Sequence, residues 1–191
     1  MPVDTNMPFS VDVGDVDGDG DLDFVVGTWS RSKPQALLDI LYINAGTGAF
    51  TSAPIHADAY ATRGANLVDV DRDGDLDYIA AVGDHYSPAR DVLFLNDGTG
   101  VFKFDDTKII PTVISGSRRY VAGDFDGNGT IDFFLPGMDG RVLFDQEDGK
   151  FVDRSATHLA PDPNRNRSAV VGDMDSDGYL DLAVTSGNQV R

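Results

Sequence analysis

Asp15, Asp17, Asp19, Asp21 and Asp23 occupy alternate positions of a nine-residue segment, and the pattern returns three times. The copies are Asp69, Asp71, Asp73, Asp75 and Asp77, then Asp124, Asp126, Asn128, Thr130 and Asp132, then Asp173, Asp175, Asp177, Tyr179 and Asp181. Successive starts lie 54, 55 and 49 residues apart. Alternating carboxylates on a short turn make an all-oxygen donor set. That is the chemistry of calcium, which takes six to eight oxygens at about 2.3–2.6 Å. Positions 1, 3, 5 and 9 offer side chains. Position 7 offers its backbone carbonyl, so its side chain varies: Asp21, Asp75, Thr130, Tyr179. Glycine at position 6 (Gly20, Gly74, Gly129, Gly178) permits the sharp turn. Position 8 is aliphatic in every copy (Leu22, Leu76, Ile131, Leu180) and is expected to plug the loop into the core of its own repeat.

The pattern is not an EF-hand, which needs an acidic residue at position 12 between two helices. Position 12 here is Val26, Ala80, Leu135 and Val184. Magnesium is the weaker candidate, because it demands stricter octahedral geometry and keeps its waters. Metal-free Asp/Gly turns are the plain alternative, and four copies with the same ligand positions and flanks argue against it. The third loop, with Asn128 and Thr130, carries the least charge and is expected to bind most weakly.

Charge is distributed accordingly. The formal net charge is −17, and the four loops hold 17 of the 32 acidic residues but a single basic one, Arg72. The rest of the chain is near neutrality. Like charges packed this closely repel unless a cation sits among them. The acidic balance disfavours nucleic acid and anionic membranes as partners. Glu147 is the only glutamate and lysine occurs four times, so two strong helix formers are scarce. With 21 glycines and nine prolines, turns should be frequent. The lack of cysteine excludes disulfides and thiolate metal sites. No apolar run approaches the roughly 18 residues of a membrane span.

Short apolar runs flank each loop. Phe9–Val13, Ala65–Val68, Tyr120–Ala122 and Ala169–Val171 precede the loops, and Phe24–Val26, Tyr78–Val82, Phe133–Leu135 and Leu182–Val184 follow. They are rich in β-branched and aromatic residues, which reads as strand, and nearly continuous, which predicts burial on both faces. A second motif repeats out of phase: Asn44-Ala-Gly46-Thr-Gly48, Asn96-Asp-Gly98-Thr-Gly100, and a third copy placed at Asp145. Each is a Gly-rich hairpin. One repeat is therefore four antiparallel strands in about 50 residues, a propeller blade. The fold class is all-β, one partial β-propeller over 1–191, with blades at about 9–55, 64–106, 117–154 and an incomplete 166–191. The fourth blade stops just as its third strand should begin. About three and a half blades cannot close a ring in the usual way. The chain is therefore expected to be a fragment that meets the remaining blades of its parent chain, or to self-associate. The longest variable loop, 27–38, holds the only tryptophan, Trp29.

These residues resemble the FG-GAP and VCBS repeats, also seen in integrin alpha-subunit propellers. The pattern there is D-x-D-x-D-G-x-x-D, then a strand, then N-x-G-x-G-x-F. The resemblance covers nearly the whole chain. It implies a seven-bladed, usually extracellular propeller with one calcium per motif-bearing blade, hence up to four here. The Phe-Gly and Gly-Ala-Pro elements that named the family are not clear in this sequence.

No nucleophile elbow or phosphate-binding glycine loop is present. His56, His85 and His158 are scattered and expected to be solvated loop residues. The chain is therefore expected to be no enzyme. It reads as a secreted or cell-surface calcium-stabilised scaffold for adhesion or for binding protein or carbohydrate. No signal peptide is visible at Met1, so a leader was removed or the chain is a piece of something longer. The alternatives are a propeller domain of a larger polysaccharide-degrading enzyme, or a lectin with Trp29, Tyr42, Tyr60 and Tyr86 as stacking platforms.

Overall fold

The computed structural model describes residues 7–30, 37–84, 87–105, 110, 119–137, 140–160, 166–186 and 189–190. Four antiparallel sheets follow one another along the chain. The first contains β1 (Pro8–Gly14), β2 (Asp23–Thr28), β3 (Ile40–Asn44) and β4 (Phe50–Pro54). The second contains β5 (Thr62–Val68), β6 (Asp77–Asp84), β8 (Val92–Asn96) and β9 (Phe102–Phe104), with the short β7 (Ser87–Pro88) paired to β6. The third contains β10 (Val121–Gly123), β11 (Asp132–Gly137), β12 (Gly140–Glu147) and β13 (Lys150–Asp153). The fourth contains β14 (Asn166–Gly172), β15 (Asp181–Ser186) and β16 (Gln189–Val190), so its third strand has already begun. A single helical turn, α1 (Ser155–His158), is the only helix among the described residues.

Within each sheet the strands are hydrogen-bonded in chain order, as adjacent hairpins require. The first strands, β1, β5, β10 and β14, line one shared groove through Asp12, Asn66, Val121 and Val170. The sheets stack face to face around that groove, which makes them propeller blades. A separate apolar cluster fills each space between blades. Val25, Leu41, Tyr78 and Phe94 pack between the first and second. Ile79, Leu93, Phe133 and Phe144 pack between the second and third, and Val121, Phe134 and Val184 between the third and fourth. Phe133, Phe134 and Leu135 of β11 are fully buried, because their strand has a blade on each face. Burying each such side chain contributes about 1.5–3 kcal/mol.

Two expectations are corrected. The aliphatic residue at loop position 8 does not enter its own blade. It crosses to the preceding one and covers the residue just before that blade's loop. Leu76 fills the space a Cβ would need at Gly14, and Leu180 Cδ1 stands 2.7 Å from where a Cβ at Gly123 would lie. Ile131 and Val68, the corresponding pair, pack on the same cluster. The loop comes from a blade already displaced sideways, so its inward side chain points at a neighbour. Secondly, β1 is not buried on both faces. Phe9, Val11 and Val13 are exposed, since no described blade covers that side.

Loop position 2 is a further packing position. Val16 and Val70 are buried beneath the following blade, and Phe125 packs on the third cluster.

A buried aspartate just before the third strand ties successive blades together. Asp39 accepts the Thr28 N–H at 2.8 Å, the Thr62 hydroxyl at 2.6 Å and the Tyr78 hydroxyl at 2.8 Å. Asp91 accepts the Val82 N–H at 2.7 Å and the Tyr120 hydroxyl. Burial pushes the Asp91 carboxyl up to about 6, although the Tyr120 and Val82 bonds oppose the rise. A raised carboxyl favours the protonated fold. Its contribution is full below the ordinary carboxylate value and lost as the pH rises through about 6.

Two outcomes follow. Gly123→Leu should destabilise by about 1–3 kcal/mol in denaturant unfolding, because Leu180 already fills the space. Asp91→Asn should flatten the loss of stability between about pH 4 and pH 6 by an amount of order 1–3 kcal/mol. Denaturant titrations across that range, at constant saturating calcium, measure the difference.

Candidate metal centres

Each acidic loop joins the first strand of a blade to the second, so all four open at one end of the array. The turn is set by backbone shape. Position 4 is left-handed in every copy: Gly18, Arg72, Gly127 and Ser176 have φ of 73°, 61°, 75° and 63°. Position 6 reaches φ between 88° and 102°, which only glycine adopts without strain.

The loop side chains first satisfy the turn itself. The position-1 carboxylate accepts the position-6 N–H, at 3.0 Å for Asp15, 3.2 Å for Asp69 and 3.0 Å for Asp124 and Asp173. The position-5 side chains of Asp19, Asp73, Asn128 and Asp177 accept the position-7 N–H at 2.7–3.0 Å. The position-9 carboxylate spans the most structure. Asp23, Asp77, Asp132 and Asp181 each accept the position-2 N–H at 2.9 Å. Asp23, Asp77 and Asp132 also accept a hairpin N–H, from Asn44, Asn96 and Gln146 at 2.8, 2.9 and 2.9 Å. The third hairpin is thereby corrected: Gln146, not Asp145, stands where Asn44 and Asn96 stand. The pairing of Phe144 with Phe133, matching Tyr42 with Phe24, sets this register.

What remains is a converging set of carboxylate oxygens. One oxygen each from Asp15, Asp17 and Asp19 lies within 4.8 Å of the others. The same holds for Asp69, Asp71 and Asp77, for Asp124, Asp126 and Asp132, and for Asp173, Asp175 and Asp181. Asp23, Asp73 and Asp177 lie outside these compact groups. Position 7 turns away. The Asp21 and Asp75 carboxylates rest on the hairpin turns at Gly46 and Gly98, and the Thr130 hydroxyl donates to the Gln146 carbonyl at 2.8 Å. Tyr179 is exposed. Any ligand from this position would be its backbone carbonyl.

The groups fit a hard cation. Asp69 Oδ1 and Asp124 Oδ1 are buried and accept no hydrogen bond, an unfavourable state for a carboxylate oxygen that a cation would relieve. Burial pushes Asp77 up to about 6 against the N–H bonds from Asn96 and Val70, and neighbouring Asp71 and Asp73 raise it further. Asp17 and Asp132 are raised too, first by desolvation. Four all-oxygen groups of this kind can chelate a divalent ion.

Asp145, which also lies 3.7 Å from Arg154 Nε, was missed as a neighbour of the third acidic group. Desolvation and then the Asp132 charge raise its carboxyl to about 6, and its buried Oδ1 accepts no hydrogen bond. It therefore adds a carboxylate beside the loop poorest in charge. The off-by-one hairpin reading concealed it.

The other singled-out residues are structural or lie elsewhere. His56, expected in solvent, is buried: its ring stacks on Phe94 at 4.8 Å, and Nε2 lies 3.4 Å from Asp39 Oδ2. Tyr60 packs edge-on against it, and Tyr42 stacks on Phe24. His158 sits on α1 beside the Thr157 hydroxyl. His85 and Tyr86 fall outside the described residues. Trp29 meets Phe9, with the Arg63 guanidinium 4.9 Å from the indole centre.

The blades and acidic loops define a β-propeller repeat module, a class of binding and scaffolding domain. The FG-GAP-like repeat model matches twice, over residues 15–80 and 69–135, and the chain belongs to this family. Each match starts at an acidic loop and runs into the next blade. No curated protein matches the chain. One similar solved structure carries the description "Structural basis of specific recognition of non-reducing terminal N-acetylglucosamine by an Agrocybe aegerita lection". It superposes with a TM-score of 0.59 at 18% identity over 98% of this chain and 52% of its own. The likeness is one of fold, and the present chain spans about half of that protein. No helix among the described residues is long and apolar enough to cross a membrane.

Proposed function

We propose that the protein is a non-catalytic, extracellular or cell-surface β-propeller module whose four loops bind calcium as a structural ion, and that it serves as a rigid scaffold for adhesion or for recognition of protein or carbohydrate. The observation that carries the reading is the buried, unpartnered carboxylate oxygen of Asp69 and of Asp124 at the centre of a compact acidic group. Calcium suits these loops because its coordination number is flexible and its ligands are oxygens. Extracellular calcium-binding modules have Kd of about 10⁻⁴–10⁻³ M, suited to the millimolar calcium outside cells. The ion stabilises the turn and does not act on a substrate. At millimolar free calcium, about 1–10 times such a Kd, one site adds about 0.4–1.4 kcal/mol to the folded state.

A lectin is the second reading, favoured by the exposed Phe9 and the half-buried Trp29 flanking Arg63, and by the fold likeness to a protein described as recognising terminal N-acetylglucosamine. Aromatic faces of this kind stack on sugar rings.

A thermal melt in millimolar calcium, against excess EGTA at constant magnesium, tests the first reading. The midpoint should fall by many degrees on chelation, and an unchanged cooperative melt would refute structural calcium. Asp145→Asn should shift the calcium dependence of the melt to higher concentration. For the second reading, the chain should bind terminal N-acetylglucosamine on a glycan array, and Trp29→Ala should abolish the signal. Absence of any glycan signal would leave the scaffold without a lectin role.

A further inference from the structure

Arg72 is the one basic residue in the four acidic loops, and it stands where the backbone favours glycine. It holds position 4 of the second loop with φ of 61°. Gly18 and Gly127 hold that position in the first and third loops, with φ of 73° and 75°. A side chain on left-handed backbone carries a conformational cost that glycine avoids. The shape of the turn therefore does not account for the arginine.

What the side chain reaches does account for it. The guanidinium crosses the boundary between the second and third blades, and Nη2 lies 3.7 Å from Asp124 Oδ2. Asp124 is position 1 of the third loop and belongs to the compact group with Asp126 and Asp132. Its two oxygens are engaged differently. Oδ2 accepts the Gly129 N–H at 3.0 Å and faces Arg72, whereas Oδ1 is buried and accepts no hydrogen bond. A cation on Oδ1 would share one carboxylate with a guanidinium. Gly18 and Gly127 stand at the corresponding place ahead of Asp69 and Asp173, and they supply no charge.

We propose that Arg72 sets the calcium affinity of the third site from the second loop, by neutralising part of the charge on Asp124. The inference rests on the calcium reading of the loops given above. Ligand charge tunes calcium affinity over orders of magnitude. The third loop already lacks two carboxylates, at Asn128 and Thr130, so a cation beside one of its remaining ligands weighs more there than it would at another loop. A guanidinium and a divalent ion about 6 Å apart in a water-rich setting repel by enough to lower affinity about tenfold before salt screens them. The Arg72 side chain is 47% exposed, so about 3–10-fold is the expected effect. The third site thus fills after the others, and one residue outside its own loop holds it back.

A calcium titration of the 191-residue chain, followed by the amide NMR signals of Gly20, Gly74, Gly129 and Gly178, tests it. Each of these amides donates to the position-1 carboxylate of its own loop and so reports that loop alone. In the parent chain the Gly129 signal should move at the highest calcium. Arg72→Gly installs the residue that the first and third loops use, so the fold should persist, as an unchanged strand circular dichroism would verify. In that variant the Gly129 midpoint should fall by about 3–10-fold, and the Gly74 midpoint by less than about twofold. Arg72→Lys keeps the charge and should stay within about twofold of the parent at Gly129. In about 0.5 M KCl the difference between parent and Arg72→Gly should shrink, because an exposed charge is screened. A Gly129 midpoint that is unchanged or higher in Arg72→Gly overturns the proposal, and so do equal shifts at Gly74 and Gly129. Those results would leave calcium binding itself standing. A parent chain in which none of the four glycines responds to calcium refutes the calcium reading, and this inference with it.

Discussion

Everything at the loop end of each blade depends on one carboxylate, that of position 9. Asp23, Asp77 and Asp132 stand at the first residue of a second strand, buried to 0, 0 and 1% exposure. One oxygen holds the loop backbone at position 2, and the other holds the hairpin backbone at Asn44, Asn96 or Gln146. Two connections are thereby tied to one side chain. Burying a carboxylate is costly even when it is bonded, and the rise of Asp77 to about 6 is the sign of that cost. Two N–H donors offset part of it. A cation held by the adjacent position-1 and position-3 carboxylates would offset far more, by turning crowded negative charges into ligands. In the second and third loops the same residue is thus a strand anchor and a member of the compact acidic group, so the spacing of the motif serves both roles.

The blades meet through a second repeated device. Position 8 reaches back over the preceding blade, and position 2 is covered by the following one. The second and third loops are therefore clamped from both sides. Asp39 and Asp91 add polar ties at the other end of the blades, where they receive tyrosine hydroxyls from the next blade. His56 belongs to this group. Stacked on Phe94 and set against Asp39, it is a packed core residue whose polar edge is met by a buried carboxylate.

Strands, loops and hairpins were legible in the sequence because each has local chemistry: period, turn glycine and β-branched run. What could not be read is what depends on neighbours distant in the chain. The direction taken by Leu76 and Leu180 is set by the offset between blades, and no local pattern encodes it. The burial of His56 depends on Phe94, 38 positions later. Asp145 was hidden by a hairpin whose turn is one residue out of step with the other two. Only the pairing of Phe144 with Phe133 reveals which side chain faces the third loop.

The arrangement divides labour between the ends of the array. In a four-strand meander, the connection from first to second strand and that from third to fourth lie at the same end. Here those are the acidic loop and the Gly-rich hairpin, bonded to each other through position 9. Arg72 of the second loop also lies 3.7 Å from Asp124 of the third, so neighbouring loops are linked electrostatically across a blade boundary. Charge, turn geometry and backbone bonding therefore over-determine this end, and a substitution there disturbs several of them together. The connections from second to third strand, and from blade to blade, emerge at the opposite end. They include Trp29, His56 and Tyr60, and their lengths differ from blade to blade. The buried aspartates fix only the roots of these loops, through Thr28 and Val82. Connections of this kind, anchored at their roots by a rigid scaffold, are where recognition surfaces are carried.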